Sequence, residues 1–293
     1  MSSVVEAHGI SKKYGNFNAL DSVSFAIQPG PIVGLIGPNG AGKTTALKAL
    51  LGLTPFDGSL SVLGIDPRKD RQKLMERACF VADVGVLPRW LKVSNALDYA
   101  DGVHPKFNRQ RAEAMLAATN IPMNKRVAQL SKGMVAQLHL SLVMAIDVDL
   151  LILDEPTLGL DILYHKSFYQ HLLNDYCDHQ TSILISTHQV EEIEALLTHL
   201  LFINQGAIVL DCAMDELAAR FNEVLVAPTD WAQAEGLSPI YSRDLLGKKA
   251  MIFEDTPAAK LADLGEVSAP SVADLFVAKL QTARGIKRVT WQF

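Results

Sequence analysis

The stretch Gly34–Gly52, GLIGPNGAGKTTALKALLG, decides the fold. It begins as the end of an apolar, β-branched run, PIVGLIG (31–37), bends through Gly37, Gly40 and Gly42, and opens a helical pattern at Lys43, Thr44 and Thr45. Glycine is costly to order, and a lysine at a helix start opposes the helix dipole. The two choices make sense together where backbone amides must converge on an anion. Gly37, Gly42, Lys43 and Thr44 satisfy G-x-x-x-x-G-K-[ST], a loop whose N–H groups cradle phosphate oxygens with the help of a helix start. Asn39, Gly40 and Ala41 complete the bend. In such a loop the lysine reaches the β/γ-phosphates and the threonine hydroxyl serves Mg²⁺. The helix that follows places Leu47, Leu50 and Leu51 on one face, stops at Gly52, and has Pro55 beyond it. These residues predict a nucleoside-triphosphate site between a strand and a helix.

Two further runs read as buried strands, DLLILDE (149–155) and TSILIST (181–187). Between them lies DILYHKSFYQHLLNDYC (161–177), a helical pattern that Asp161 can cap. After the last strand, QVEEIEALLTHLL (189–201) predicts a helix with Val190, Ile193, Leu196, Leu197 and Leu200 on one face and glutamates near its start. Continuous apolar strands separated by helices imply a parallel sheet covered on both faces. Residues from about 84 to 146 carry helical patterns without comparable strand runs, and are expected to form a helical insert. From about residue 213 the alternation resumes weakly (NEVLVAP, KKAMIFED, then SVADLFVAKLQTA), which predicts a small α+β appendage. The expected division is therefore 1–212 for the main domain and 213–293 for an extension.

Asp154 ends its strand, where a carboxylate can hold Mg²⁺ through its water shell. Glu155 follows, and Pro156 biases it toward extended backbone. Adjacent residues on an extended chain point apart, so one faces the metal and the other an attacking water. The chain of 293 residues has a net charge of −5, which gives no global attraction to nucleic acid. Cys79, Cys177 and Cys212 lack metal-binding spacing and read as reduced cytoplasmic thiols. The start, MSSVVEAHGISKKYG, lacks a signal pattern, and no apolar run approaches the roughly 18 residues of a membrane span. Work at a membrane would need another chain to do the spanning.

In this order the motifs resemble those of the ATP-binding subunits of ABC transporters, in particular bacterial export-type cassettes with a short C-terminal extension, over roughly residues 4–212. KKYG resembles the family's aromatic loop, which implies that Tyr14 stacks on adenine. LSKGM (130–134) is similar to the signature usually written LSGGQ, so that Ser131 and Gly133 would meet the γ-phosphate of ATP held by a second subunit. LGLD, ending at Asp161, resembles the loop at the dimer interface. His188 in STHQ is similar to the switch histidine that holds the γ-phosphate and lytic water. Two departures stand out. Lys132 and Met134 replace glycine and glutamine, and Asp83 in CFVADVGVLPRW stands where the family has a Mg²⁺-contacting glutamine.

The implied fold is α/β. It comprises a P-loop NTPase core of the ABC ATPase type with a parallel sheet, an N-terminal antiparallel β portion, the helical insert and the α+β appendage. The implied activity is hydrolysis of ATP, with Mg²⁺ held by Thr44, Asp154 and Asp83, Glu155 activating water and His188 orienting the phosphate. The implied partners are a membrane-spanning permease subunit, docked through the stretch holding Trp90 and Leu91, and a second ATPase subunit forming a homodimer, with no nucleic acid. The chain would then lie on the inner face of the membrane. The alternative is a soluble ATPase of the same class acting in DNA repair, translation or assembly.

Overall fold

The computed structural model describes residues 3–81, 87–157, 168, 169, 172 and 181–283. Its centre is a six-stranded sheet in the order β5-β6-β7-β3-β8-β9. Its strands are β3 (Ile32–Ile36), β5 (Ala78–Val81), β6 (Leu150–Asp154), β7 (Ser182–Thr187), β8 (His199–Asn204) and β9 (Ala207–Ala213). The first five run parallel, and β9 pairs antiparallel with β8. Every residue of β3, β6 and β7 is buried, as expected of a sheet covered on both faces. Successive side chains of a strand point to opposite faces. Accordingly Val33, Leu35, Leu150, Ile152 and Leu184 enter one core, while Ile32, Ile36, Leu151, Leu153, Ile183 and Ile185 enter the other.

The first core is closed by helix α1 (Lys43–Leu50) and by an antiparallel sheet of β2 (Phe17–Ile27), β1 (Val5–Tyr14) and β4 (Asp57–Val62), in that order. A short helix, α2 (Arg71–Met75), leads into β5. The second core is closed by α5 (Lys132–Met144) and by the helical residues Phe168, Tyr169 and Leu172. Helices α3 (Val93–Val103), α4 (Arg109–Ala117) and α5 also share a core of their own, built on Leu97, Leu116, Leu138 and Leu142. Helix α5 thus faces two cores, with Leu138 and Leu142 in one and Leu140, Val143 and Met144 in the other. That double role explains why its sequence is apolar nearly all round.

Beyond β9, the chain forms α6 (Met214–Arg220), β10 (Phe221–Val226), α7 (Trp231–Gly236), β11 (Tyr241–Leu245), β12 (Lys248–Glu254), α8 (Ala258–Leu261), β13 (Val267–Ser268) and α9 (Val272–Ala283). The strands make an antiparallel sheet in the order β11-β12-β10-β13 over a core of Val224, Met251, Phe253 and Leu261. Helix α9 returns to the main sheet. Val272 and Leu275 enter its second core, and Phe276 meets Phe202 edge-on at 5.1 Å.

One expected element takes another form. Residues 189–201 do not make a helix; they form two 3-10 turns, Val190–Glu192 and Glu194–Leu196, and then start β8 at His199. Val190, Ile193 and Leu196 recur every three residues, which suits a 3-10 turn as well as an α-helix. Val33 pairs with His199 and Gly34 with Leu200, so the central strand β3 draws Leu200 into the sheet. Tertiary pairing overrides local propensity here. The helix expected from Asp161 onward lies mostly outside the described residues.

Candidate active site

Parallel register brings the site together. Ile36 pairs with Thr187, and Asp154 pairs with Ser186, so the C-terminal ends of β3, β6 and β7 lie level at one rim. Crevices at that rim are where open α/β sheets bind ligands. The loop 37–42 leaves β3 there, with the Gly37 amide directed at the Thr187 carbonyl at 3.4 Å. Two of its glycines are required by contact. A Cβ at Gly37 would lie 2.4 Å from the Ile203 carbonyl oxygen, and one at Gly42, whose φ is +111°, 2.4 Å from that of Ala19. At Gly40 the space is open, but φ is +80°. Helix α1 then starts without a side-chain cap and without an acidic residue in its first turn. Its leading amides have no partner within the helix, and they carry its positive end.

Lys43 is buried at 6 % exposure. Its ammonium donates to the Gly37 carbonyl at 2.6 Å and the Pro38 carbonyl at 3.4 Å, and lies 3.2 Å from Glu155 Oε1. That carboxylate oxygen is buried without a hydrogen bond of good geometry, so the ammonium acts on it by charge alone. The other oxygen, Oε2, is 2.9 Å from His188 Nδ1. A buried ammonium tolerates its loss of water only when carbonyls and a counter-charge surround it. Lys43, Glu155 and His188, which are far apart in sequence, therefore meet in one hydrogen-bonded and ion-paired group.

Asp154 is buried, and its Oδ1 accepts a hydrogen bond from the Ser186 hydroxyl. Glu155 is not extended, contrary to the bias expected from Pro156; its φ is +48°. Its amide is held by both the carbonyl of Ser186 at 3.1 Å and the hydroxyl of Ser186 at 3.2 Å. Those two bonds offset a backbone conformation that costs about 1–3 kcal/mol in a non-glycine residue. Below them, the Thr157 hydroxyl lies 3.3 Å from the Tyr169 hydroxyl and 3.3 Å from Glu192 Oε2, tying the chain after Glu155 to the turn after His188. Burial, eased by Thr157 and reinforced by the nearby Glu192 and Glu155 charges, pushes the Tyr169 phenol well up. That hydroxyl stays protonated.

The remaining site residues stand apart. Tyr14 is 50 % exposed at the end of β1, with its hydroxyl 3.4 Å from Thr54 Oγ1 and Lys12 Nζ 5.0 Å from its ring centroid. Thr44 is exposed on the first turn of α1 and Thr45 is half-buried behind it. Ser131 is exposed and caps α5, accepting from the Met134 amide at 3.2 Å, and the helix face at Gly133 is open. Trp90 is 71 % exposed, whereas Leu91 packs partly against the core of α3–α5. Asp83 and Asp161 lie outside the described residues.

Two residues escaped sequence reading. Ser186 reads only as a polar position in an apolar strand, and Phe17 as one aromatic among several. Phe17 pairs with Tyr14 across a two-residue turn at Gly15 and Asn16, and is 57 % exposed. The signal for Phe17 was the tight spacing YGNF, which fits a hairpin carrying an aromatic side chain on each of its two paired strands beside the turn.

The residues fit a Mg²⁺-nucleotide. Gly37 and Gly42 leave no room for side chains in the loop, the ammonium lies beside it, and the nearby donors, a threonine hydroxyl and an aspartate, are the hard oxygen ligands magnesium takes alongside phosphates.

Comparison with known proteins gives the family. The sequence profile of the family described as ABC transporter matches residues 20–158. Nod factor export ATP-binding protein I of Burkholderia thailandensis is 32 % identical over 270 residues, which are 86 % of each chain. The bacitracin transport ATP-binding protein BcrA of Bacillus licheniformis is 30 % identical, over 77 % of this chain and 74 % of BcrA. The probable multidrug ABC transporter ATP-binding protein YbhF of Escherichia coli is 31 % identical over 74 % of this chain, and the match spans only 38 % of YbhF. Among solved structures, an ATP-binding subunit of an ABC transporter superposes with a TM-score of 0.67 at 24 % identity, covering 73 % of this chain and 92 % of that one. A dimeric cassette in a post-hydrolysis state bound to ADP and Pi gives 0.63 at 21 %, covering 72 % and 98 %. At those identities the likeness concerns the fold. The match over 86 % of the Nod factor export protein, together with the phosphate loop and the acidic strand end, leads to one conclusion: this chain belongs to the ATP-binding cassette proteins of the ABC transporter family.

Proposed function

We propose that this chain is the ATP-hydrolysing subunit of an ABC transporter, with residues 1–212 as the ATPase domain and 213–293 as an extension. The relative named for Nod factor export favours export. The observation that carries the reading is the convergence of Lys43 and His188 on the two oxygens of Glu155 beside the glycine loop. Lys43 and the first amides of α1 bind the phosphates, and Tyr14, with Phe17 beside it, offers a face to adenine. Thr44 and Asp154, with Asp83, would hold Mg²⁺. Magnesium, when bound there, neutralises phosphate charge.

Glu155 takes a proton from the attacking water as the new O–P bond forms and the bond from the γ-phosphorus to the bridging oxygen breaks, with ADP as the leaving group, and His188 orients the γ-phosphate. Positioning and charge supply most of the acceleration, because phosphoryl transfer needs little covalent help. Glu155 lies 3.2 Å from the Lys43 ammonium, so phosphates would compete with its carboxylate for that charge. Ser131, Gly133 and Asp161 are assigned to the interface with a second copy, whose ATP they would cover. A separate membrane-spanning subunit would dock at Trp90 and hold the cassette on the inner face of the membrane. No helix among the described residues is long and apolar enough to cross it.

Titration of the purified chain with Mg-ATP tests the reading. The wild type should bind and Lys43→Ala should lose most of its affinity while melting cooperatively. Equal affinity in the two would refute it.

A further inference from the structure

Ser186 is fully buried in β7, at 0 % exposure, in direct register with Asp154. A hydroxyl buried without partners is destabilising, so its bonds define its role. It has one proton and two acceptor lone pairs. A carboxylate only accepts, so the proton goes to Asp154 Oδ1, and a lone pair receives the Glu155 amide at 3.2 Å. One side chain thus touches both acidic residues at the end of β6. On Asp154 it holds one carboxylate oxygen and leaves Oδ2 for other work. On Glu155 it shares, with its own carbonyl, the amide of a residue whose φ is +48°.

Resting on the ATPase reading above, we propose that Ser186 is a positioning residue that couples the metal-holding Asp154 to the base Glu155. The same hydroxyl sets the rotamer of Asp154 and the backbone from which Glu155 projects. Metal geometry and water activation are therefore aligned by one group that touches neither nucleotide nor metal. Outer partners of this kind typically change metal affinity or activity by about 10–100-fold when removed.

The test uses the full chain with ATP and Mn²⁺, a paramagnetic stand-in for Mg²⁺. Mn²⁺ binding to the ATP-loaded protein is read by electron paramagnetic resonance, alongside kcat, KM and melting. Ser186→Ala should weaken Mn²⁺ about tenfold or more and lower kcat about 10–100-fold. Its ATP affinity in EDTA should stay within about threefold of wild type, because the phosphate loop is untouched. Ser186→Thr restores the hydroxyl and should recover most of both losses.

Wild-type Mn²⁺ affinity and kcat in Ser186→Ala overturn the proposal. So does a folded Ser186→Thr as impaired as the alanine variant, or a Ser186→Ala that loses metal-free ATP binding as well, which marks a structural role. If Ser186→Ala fails to fold, Ser186→Cys, close in size and a weak donor, takes its place with the same expected losses. A wild-type chain that binds no ATP in EDTA fails at an earlier step. It overturns the nucleotide reading itself, and that outcome is separate from any difference among Ser186 variants.

Discussion

The Glu155 carboxylate lies 3.2 Å from the Lys43 ammonium on one side and 2.9 Å from His188 Nδ1 on the other. Two consequences follow for a single substitution. Glu155→Gln removes the proposed proton acceptor, and steady-state hydrolysis should fall about 10²–10⁴-fold, the usual scale for a general base. It also removes the charge that competes with phosphate for Lys43, so ATP affinity by calorimetry should hold or rise; near-normal turnover would remove Glu155 from the role of base. Gly42→Ala tests the loop. With φ at +111° and the Ala19 oxygen 2.4 Å from the added Cβ, the strain of about 1–3 kcal/mol should weaken ATP binding roughly 5- to 150-fold. Lys43, Thr44, Asp154, Glu155 and His188 were legible in the sequence because each sits in a short motif or directly after an apolar strand. Ser186 was not. Its partners lie 31 and 32 residues away, and only strand register reveals them.

Helix α5 begins where the signature-like LSKGM ends its extended approach, with Ser131 as the cap accepting from the Met134 amide. Ser131→Ala should cost about 0.5–2 kcal/mol in urea unfolding, the usual worth of such a cap. Because Ser131 is assigned to a second copy's ATP, the same variant should leave nucleotide binding to the isolated chain unchanged while slowing hydrolysis by the pair. Loss of binding to the isolated chain would contradict that assignment. The turns at 190–196 show where periodicity misleads. An apolar residue every third position fits both an α-helix and 3-10 turns, and the pairing of β8 with β3 decides between them.

At the scale of the molecule, the C-terminal unit is fastened by ion pairs around α9. Lys279 donates to both Glu254 oxygens at 2.8 and 2.7 Å, Arg220 to one of them at 2.9 Å, and Arg243 bridges Glu223 and Asp274 at 3.3 and 3.1 Å. The Val272 amide at the start of α9 donates to Glu194, in the turn that follows His188. Lys279→Met should loosen α9 by about 1–3 kcal/mol, less than a fully buried pair because Arg220 remains on Glu254. Hydrogen exchange across residues 272–281 reads the effect; unchanged protection would show that apolar packing alone holds the helix. Partial burial raises the Glu254 pKa, but Lys279 and Arg220 outweigh burial and hold it below the ordinary value of 4.5. A carboxylate depressed in the fold stabilises it above its unfolded pKa and loses that contribution as pH falls through the lower folded one. Protection of α9 should therefore be steady from neutral pH down to about 4.5 and decline below it, and Lys279→Met should flatten that decline.

Local chemistry was written in the chain itself. The glycine loop, the acidic strand end and the histidine after an apolar run are patterns of a few residues, and the constraints on φ, charge and burial that they answer act over the same short span. The meeting of Lys43, Asp154, Glu155, Ser186 and His188, the bend of Glu155 away from extended backbone, and the return of α9 to the main sheet were decided by tertiary structure. They depend on which strands pair and in what register, and that is set by filling two cores at once from segments far apart in the chain.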